Sequence, residues 1–480
     1  MLLDADQCYR ALTAHDARFD GRFFVGVATT RIYCRPVCTV RTPQRRNCRF
    51  FPSAAAAESE GFRPCLRCRP ELAPGHAAVD ANRRLAQAAA GLIDDGRLGS
   101  EARLPGLAQA LGVTDRHLRR VFREEFGVAP VEYAQTQRLL LAKRLLTDTA
   151  MPVIDVALAS GFASLRRFNH LFRARYRMTP GALRRAAPAN ARDELTFDLA
   201  YRPPYDWDAM RDFLARRAIA GVDAVEGQRY LRTVRIERNG KAASGWVAVA
   251  PSRRRHALAV TASASLAGVL PGVLARVKQL FDLACRPDDI AEALGELAAA
   301  HPGLRLPGAF DGFEIAVRAI LGQQVTVKAA SIIAGRFARA FGEPIATPHA
   351  ALTHLFPDPA RIAALDAAGI AAQGIIAVRA RAIAALAREV EGGRLHLDPG
   401  AGVDPTLAAL EKIPGVGPWT AQYIAMRALA WPDAFPHPDG AVLKAMAEKN
   451  ARRAAERAAQ WRPWRAYAVL HLWKSLERNP

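Results

Sequence analysis

LEKIPGVGPWTAQYIAMRALAWPDAFPHPDGAVL, residues 410–443, decides how the C-terminal half is read. A Gly415-Val416-Gly417 turn lies between two apolar-periodic stretches, and a lone carboxylate, Asp439, opens the next helical stretch. Glycines at such a turn let backbone N–H groups approach an anion closely, as a helix N-terminus does. A nucleic-acid phosphate is a natural guest. Asp439 fits two roles: an N-cap for the GAVLKAM helix, and a carboxylate that acts on the nucleotide beside the bound phosphate.

The totals agree with a nucleic-acid partner. The chain has 480 residues, enough for three or four domains, and half of them are hydrophobic. Its formal net charge is +21 and its pI about 10.4. A soluble chain this basic points to a polyanion, most simply double-stranded DNA; the plainer reading is an arginine-rich solubility bias. No window reaches the apolar length of a membrane span, and MLLDADQCYRAL lacks a signal-peptide pattern. The expectation is a cytoplasmic, nucleoid-associated protein, where disulfides are uncommon. The seven cysteines then serve metal binding, catalysis or burial.

Six of the seven precede residue 70, and four have ligand spacing: Cys34-x3-Cys38 and Cys65-x2-Cys68. Two close pairs across a loop suit one tetrahedral Zn²⁺ held by four thiolates. Cys8 and Cys48 lack a partner at ligand spacing and read as core. Arg31, Arg35, Arg41, Arg45, Arg46 and Arg49 surround the first pair with no acid among them. Thiolate is the nucleophilic form of cysteine, and a basic rim brings a phosphate to it.

Residues 104–130 and 151–180 share one pattern: an apolar-periodic helix, a glycine turn (Gly112, Gly161) and an arginine-rich second helix. That is helix-turn-helix architecture, with the second helix reading DNA. Arg116, His117, Arg119 and Arg120 fit the first reading helix, and Ser164, Arg166, Arg167 and Asn169 the second. Phe122, Leu165, Phe168 and Phe172 read as core. EYAQTQRLLLAKRLLTDT reads as a helix joining the two units. After a linker at 187–193, strands at ELTFDLA, YLRTVRI, GWVAVAP and HALAVTA, with helices near 210 and over 269–285, predict an α+β unit with Cys285 in a helix's apolar face. From 306 onward the periodicity is nearly all helical, with Gln323-Gln324 between two helices. The fold class is therefore multidomain and mainly α: a small zinc-bound α/β domain (1–80), a double helix-turn-helix (85–187), an α+β domain (193–305) and an all-α helix-hairpin-helix domain (306–480).

Specific motifs carry three family resemblances. FFVGVATTRIYCRPVC with GFRPCLRCRPE resembles the Ada-type sensor of methylphosphotriesters. That resemblance implies Cys34 as methyl acceptor on zinc, Cys38, Cys65 and Cys68 as the other ligands, and Thr30, Arg41 and Arg63 on the DNA backbone. Methylating one thiolate removes one negative charge, worth roughly 1–4 kcal/mol of phosphate affinity at close range. The GF…S…R…F and F-R-x-x-Y-x-x-T-P patterns of residues 161–180 resemble the AraC-type DNA-binding domain, which implies an activator with RNA polymerase as a partner.

IPGVGPWTA with Asp439, FEIAVRAILGQQVTVKAA and WRPWRAYAVLHLW resemble AlkA-type helix-hairpin-helix 3-methyladenine DNA glycosylases. This implies a flipped base, Gly415 and Gly417 on a DNA phosphate, and Trp419 and Trp473 as pocket walls for a cationic base through cation–π attraction of roughly 0.5–2 kcal/mol. Asp439 then activates water or stabilises the oxocarbenium-like sugar. The family wedge is Leu within GQLVS; here GQQVT puts Gln324 there. Trp419 occupies the position of the lyase lysine in bifunctional relatives, so a monofunctional hydrolase is implied. No cysteine follows Cys285 and no Pro-Cys-His-Arg motif occurs, so neither an iron–sulfur cluster nor alkylguanine reversal is expected. The combined reading is a monomeric methylation-sensing regulator fused to a glycosylase; the alternative is an activator whose glycosylase half only binds lesions.

Overall fold

The computed structural model describes residues 4–73, 81–94, 104–149, 151–184, 194–238 and 241–477. The linker expected at 187–193 lies outside them. Among the described residues no helix is long and apolar enough to cross a membrane.

The N-terminal sheet has four strands in the order Cys48–Phe51, Phe24–Val27, Ile32–Cys34, Arg63–Pro64, with only the last pair parallel. Strand alternation splits its faces. Val25 and Cys34, paired across the sheet, face the cysteine cluster. Phe24, Tyr33 and Phe51 face the other way and merge with Phe122 and Phe126 of the first helix-turn-helix unit and Tyr133 of the helix after it. Gly26 is required there, because a Cβ would lie 2.7 Å from the Phe51 ring and 2.8 Å from Phe62.

The two helix-turn-helix units are Leu104–Ala110 with Asp115–Phe126, and Val153–Ala159 with Leu165–Tyr176. Thr114 and Ser164 cap the reading helices by accepting from His117 N–H and Arg167 N–H. Phe122, Phe168 and Phe172 are fully buried, as their spacing requires, and Leu165 is partly buried. Each such ring contributes roughly 1.5–3 kcal/mol by burial. The joining helix is Pro130–Asp148. The second unit shares one core with the sheet that follows, where Phe168 and Phe172 meet the cluster containing Leu195 and Phe197.

Two buried ionic seams tie the N-terminal domain to the helix-turn-helix region. Glu58 is fully buried; it accepts from the Tyr33 hydroxyl at 2.9 Å and Thr136 Oγ1 at 3.3 Å, and its carboxylate pairs with Arg175 at 3.4 Å. Glu71 pairs with Lys143 at 2.7 Å and with Arg69, which also reaches Asp148 at 2.7 Å. Arg144, beside Lys143, donates to the Asp198 carbonyl of the next domain at 2.7 Å.

Burial pushes the Glu58 carboxyl up to about 7, against the pull of Arg175 and the two hydroxyls. The folded state therefore holds a proton that the unfolded chain releases near pH 4.5. Stability contributed here is present below that pH and is lost as pH rises towards 7, by roughly 3 kcal/mol in all. Hydrogen-exchange protection around Glu58, corrected for the intrinsic pH dependence of exchange, should fall between pH 4.5 and 7.5 in wild type and less in Glu58→Gln; parallel slopes would exclude it.

The α+β domain is a five-stranded antiparallel sheet in the order Glu194–Ala200, Ala257–Ser263, Lys241–Pro251, Arg229–Arg238, Asp223–Glu226. The sequence reading omitted the last, short edge strand. It also ran the helix through Cys285, whereas the helix Leu270–Leu280 stops earlier. Asp282 takes a left-handed φ of +50°, and its carboxylate accepts from Leu306 N–H and the Tyr467 hydroxyl. Cys285 is buried, but beyond the helix. In the C-terminal domain, PARIAALDAAGI forms two short helices, Pro359–Ala363 and Ala367–Ala371, because Asp358 and Asp366 each cap a new start.

Candidate active site and metal centre

The hairpin of the opening stretch joins helix Val403–Glu411 to helix Pro418–Arg427. Gly415 has φ +92°, a left-handed conformation that an L side chain disfavours. Gly417 is the N-cap residue, and a Cβ there would meet nothing within 4 Å, so its backbone is open to a ligand. Gln323 braces this turn: its Nε2 donates to the Gly415 carbonyl at 2.8 Å and to Thr420 Oγ1 at 2.9 Å. Arg379 in turn donates to the Gln323 carbonyl. Gln324 beside it is exposed, with φ +53°, at the tip of the turn between helices Gly312–Leu321 and Val327–Phe341. The sequence pointed to Gln324 alone; the bracing by Gln323 is long-range and had no local signal.

Asp439 sits at the start of helix Gly440–Ala445 and is its N-cap, with Oδ1 accepting from Val442 N–H at 2.9 Å. Two further donors fix it: Trp419 Nε1 to Oδ2 at 2.8 Å and Trp473 Nε1 to Oδ1 at 3.1 Å. Three N–H donors hold the carboxylate and lock its rotamer. The two tryptophans are only partly exposed, and between them lies Tyr423, stacked on Trp419 at 5.3 Å and 11° and tilted against Trp473 at 6.4 Å. Sequence reasoning missed Tyr423, although its place one turn after Trp419 was a usable signal. Arg427, one turn further, donates to the Tyr423 hydroxyl at 2.6 Å. The hairpin, the carboxylate and an aromatic wall are thus one site. A separate cavity of about 830 Å³, bordered by Gln87, Arg144, Lys278 and Trp431, contains none of these residues.

On the reading helices, Arg116, Arg119, Arg120, Arg166, Arg167 and Asn169 are all exposed. Arg119 and Arg120 are paired on their own helix with Asp115 (2.8 Å) and Glu124 (3.1 Å), so DNA phosphates would compete for them. Ser164 serves as a helix cap.

The Sγ atoms of Cys34, Cys38, Cys65 and Cys68 all lie within 4.8 Å of one another. Four thiolates at this spacing require a cation between them, and the donor set fits one Zn²⁺. Cys68 is the most exposed of the four, and Cys34 is buried at the end of its strand. The basic rim needs one correction. Arg35 is buried, not on the rim: its guanidinium forms a bidentate pair with Asp20 and donates to the Cys68 carbonyl at 3.1 Å. Thr30 and Arg41 are exposed and Arg63 partly so. Cys8 and Cys48 are buried in the core.

Four family models match in order: the metal binding domain of Ada (residues 7–71), a helix-turn-helix domain (107–186), the AlkA N-terminal domain (196–311) and the HhH-GPD superfamily of base excision DNA repair proteins (317–463). A probable bifunctional transcriptional activator/DNA repair enzyme AlkA of Mycobacterium tuberculosis is 40% identical over 99% of this chain and 97% of its own length. The DNA-3-methyladenine glycosylase 2 of Escherichia coli is 40% identical over 58% of this chain and 96% of its own. A 3-methyladenine DNA-glycosylase structure from Archaeoglobus fulgidus shares the fold over 58% of this chain and 97% of that one, with TM-score 0.50 at 19% identity. With the zinc cluster, the paired reading helices and the hairpin–carboxylate site in one polypeptide, this chain belongs to the family of bifunctional transcriptional activator/DNA repair enzymes of the AlkA type.

Proposed function

We propose that this chain senses methylated DNA, activates transcription in response, and excises alkylated bases of the 3-methyladenine type. One observation carries the excision: Asp439 is gripped by Trp419, which follows the glycine hairpin, and by Trp473 of the last helix. Gly415 and Gly417 take a DNA phosphate, Gln324 fills the space of the flipped nucleotide, and the aromatic wall takes the base. The C1′–N bond breaks with its electron pair going to the base. The sugar, left oxocarbenium-like, faces Asp439 and takes water at C1′, the water's proton passing to solvent; a base that was cationic leaves neutral. Three N–H groups already occupy Asp439's oxygens, which favours charge stabilisation over water activation. Trp419 offers no amine, so the strand is not nicked. The proposed domains are 1–80, 85–187, 193–305 and 306–480.

In the sensor, Cys34 is the proposed acceptor. Bound zinc keeps all four sulfurs as thiolates at neutral pH. The Cys34 sulfur attacks the methyl carbon of a phosphotriester, an S–C bond forms, the C–O bond breaks and the phosphodiester leaves as an anion. Thr30, Arg41 and Arg63 hold the backbone, and Arg116, Arg119, Arg120, Arg166 and Arg167 read an operator in double-stranded DNA. The chain works as a monomer and recruits RNA polymerase.

Duplex bearing methylphosphotriesters with a labelled methyl should transfer label to the Cys34 peptide of wild type and to no peptide of Cys34→Ser, as read by mass spectrometry. Label on Cys68, the more exposed sulfur, would contradict the assignment. A chain that only binds lesions would release no 3-methyladenine from methylated DNA.

A further inference from the structure

Behind the aromatic wall lie two guanidiniums with no carboxylate partner among the described residues. Arg427 is buried; its contacts are the Tyr423 hydroxyl at 2.6 Å, the Gly308 carbonyl at 3.1 Å and the faces of Phe213 and Tyr423 at 5.0 and 5.6 Å. Arg217 lies over the Phe213 ring at 3.7 Å and donates to the Phe213 carbonyl at 3.4 Å. Phe213 is thus shared by two cations. By contrast, the neighbouring Arg318 is neutralised by Asp223 at 3.1 Å and Glu314 at 2.7 Å, and Arg232 by Glu314 at 2.7 Å. A buried charge without a counter-ion is costly and calls for a use. Burial pushes the Tyr423 phenol up, but Arg427, Arg217 and Arg318 together hold it below its ordinary range.

Their position gives the use. The indole N–H edges of Trp419 and Trp473 meet at Asp439, while their rings border Tyr423. Negative charge therefore sits at one end of the site and positive charge at the other. When a glycosidic bond breaks, the electron pair moves from the sugar to the base. A base that is already cationic leaves neutral and gains nothing from a positive field. A formally neutral base leaves as an anion, and positive charge behind it stabilises that departure.

We infer that Arg217 and Arg427, acting through Tyr423, are specificity-determining positioning residues that extend excision to uncharged damaged bases at some cost to cationic ones. The inference rests on the glycosylase reading above and deepens it. A positive field is the reverse of what a pocket for cationic bases alone would need, since cation–π attraction to the same rings is weakened by cations behind them.

Single-turnover excision should be measured on two duplexes, one with 7-methylguanine (cationic) and one with hypoxanthine (neutral), for wild type, Arg427→Met, Arg427→Lys and Arg217→Met. Wild type should release both bases. Each methionine variant should lower the hypoxanthine rate about tenfold or more and leave the 7-methylguanine rate unchanged or raised, with Arg427→Lys close to wild type. Arg217, only half-buried, serves as the check should Arg427→Met fold poorly. Equal loss on both substrates in Arg217→Met, or a wild type that releases only 7-methylguanine, would overturn the inference and leave the glycosylase reading intact. A wild type that releases neither base would overturn both.

Discussion

Asp439→Asn should abolish base release while leaving the fold untouched. Asparagine caps a helix as well as aspartate does, so the Val442 N–H keeps its acceptor and helix Gly440–Ala445 keeps its start. What disappears is the negative charge that the proposed reaction sets against the sugar, together with the acceptor of the Trp419 N–H, since an amide nitrogen donates. A preorganised charge of this kind is worth about 10³-fold in rate or more, near 4 kcal/mol of transition-state stabilisation. Asp439→Ala should lose the same activity and, in addition, about 1 kcal/mol of stability with the cap. The two variants separate roles that the sequence superimposed on one residue. Single-turnover release of 3-methyladenine together with thermal unfolding measures both. Asparagine retaining more than a tenth of wild-type rate would remove Asp439 from the chemistry.

The second large effect lies at the seam between sensor and DNA reader. Glu71 and Lys143 have side chains only 2% and 1% exposed, and Arg69 leans on the same carboxylate. Burial pushes the Glu71 carboxyl up, yet Lys143 and Arg69 outweigh it and hold the group below the usual range. Glu71→Ala strands Lys143, while Arg69 keeps Asp148, and should cost roughly 3–5 kcal/mol. The double variant Glu71→Ala/Lys143→Met removes one stranded charge with its partner and should recover most of the loss. Hydrogen exchange in the joining helix Pro130–Asp148 reads this locally, which a global melt of several domains does not. Equal protection in both variants would show that the seam contributes no stability.

Some of this architecture was legible in sequence because its signals are local. Ligand spacing places Cys34, Cys38, Cys65 and Cys68 in one cluster, and the apolar period puts Phe122, Phe168 and Phe172 in the core. The turn glycines and the capping aspartate are likewise neighbours in the chain. The parts that were not legible are contacts between distant residues. Arg35 reads as rim until Asp20, fifteen residues earlier, is brought to it across the fold. Glu58 and Glu71 look like surface acids because Arg175 and Lys143 lie far along the chain. The helix stop before Cys285 depends on Asp282 accepting from Leu306 and Tyr467. The charge behind the pocket needs Phe213, from the α+β domain, to shelter Arg217 and Arg427 together. Local patterns specify elements and ligand sets; the electrostatics of the site come from which distant charges meet.

The most direct test places both chemistries on one substrate. A methylated duplex carrying 3-methyladenine and methylphosphotriesters should be mixed with stoichiometric chain, and the products resolved by chromatography, strand-length analysis and peptide mass spectrometry. The account requires free 3-methyladenine, an abasic but unbroken strand, and one methyl group on the Cys34 peptide. Lesion binding with every base still attached, or methylated protein carrying no methyl on Cys34, would contradict it.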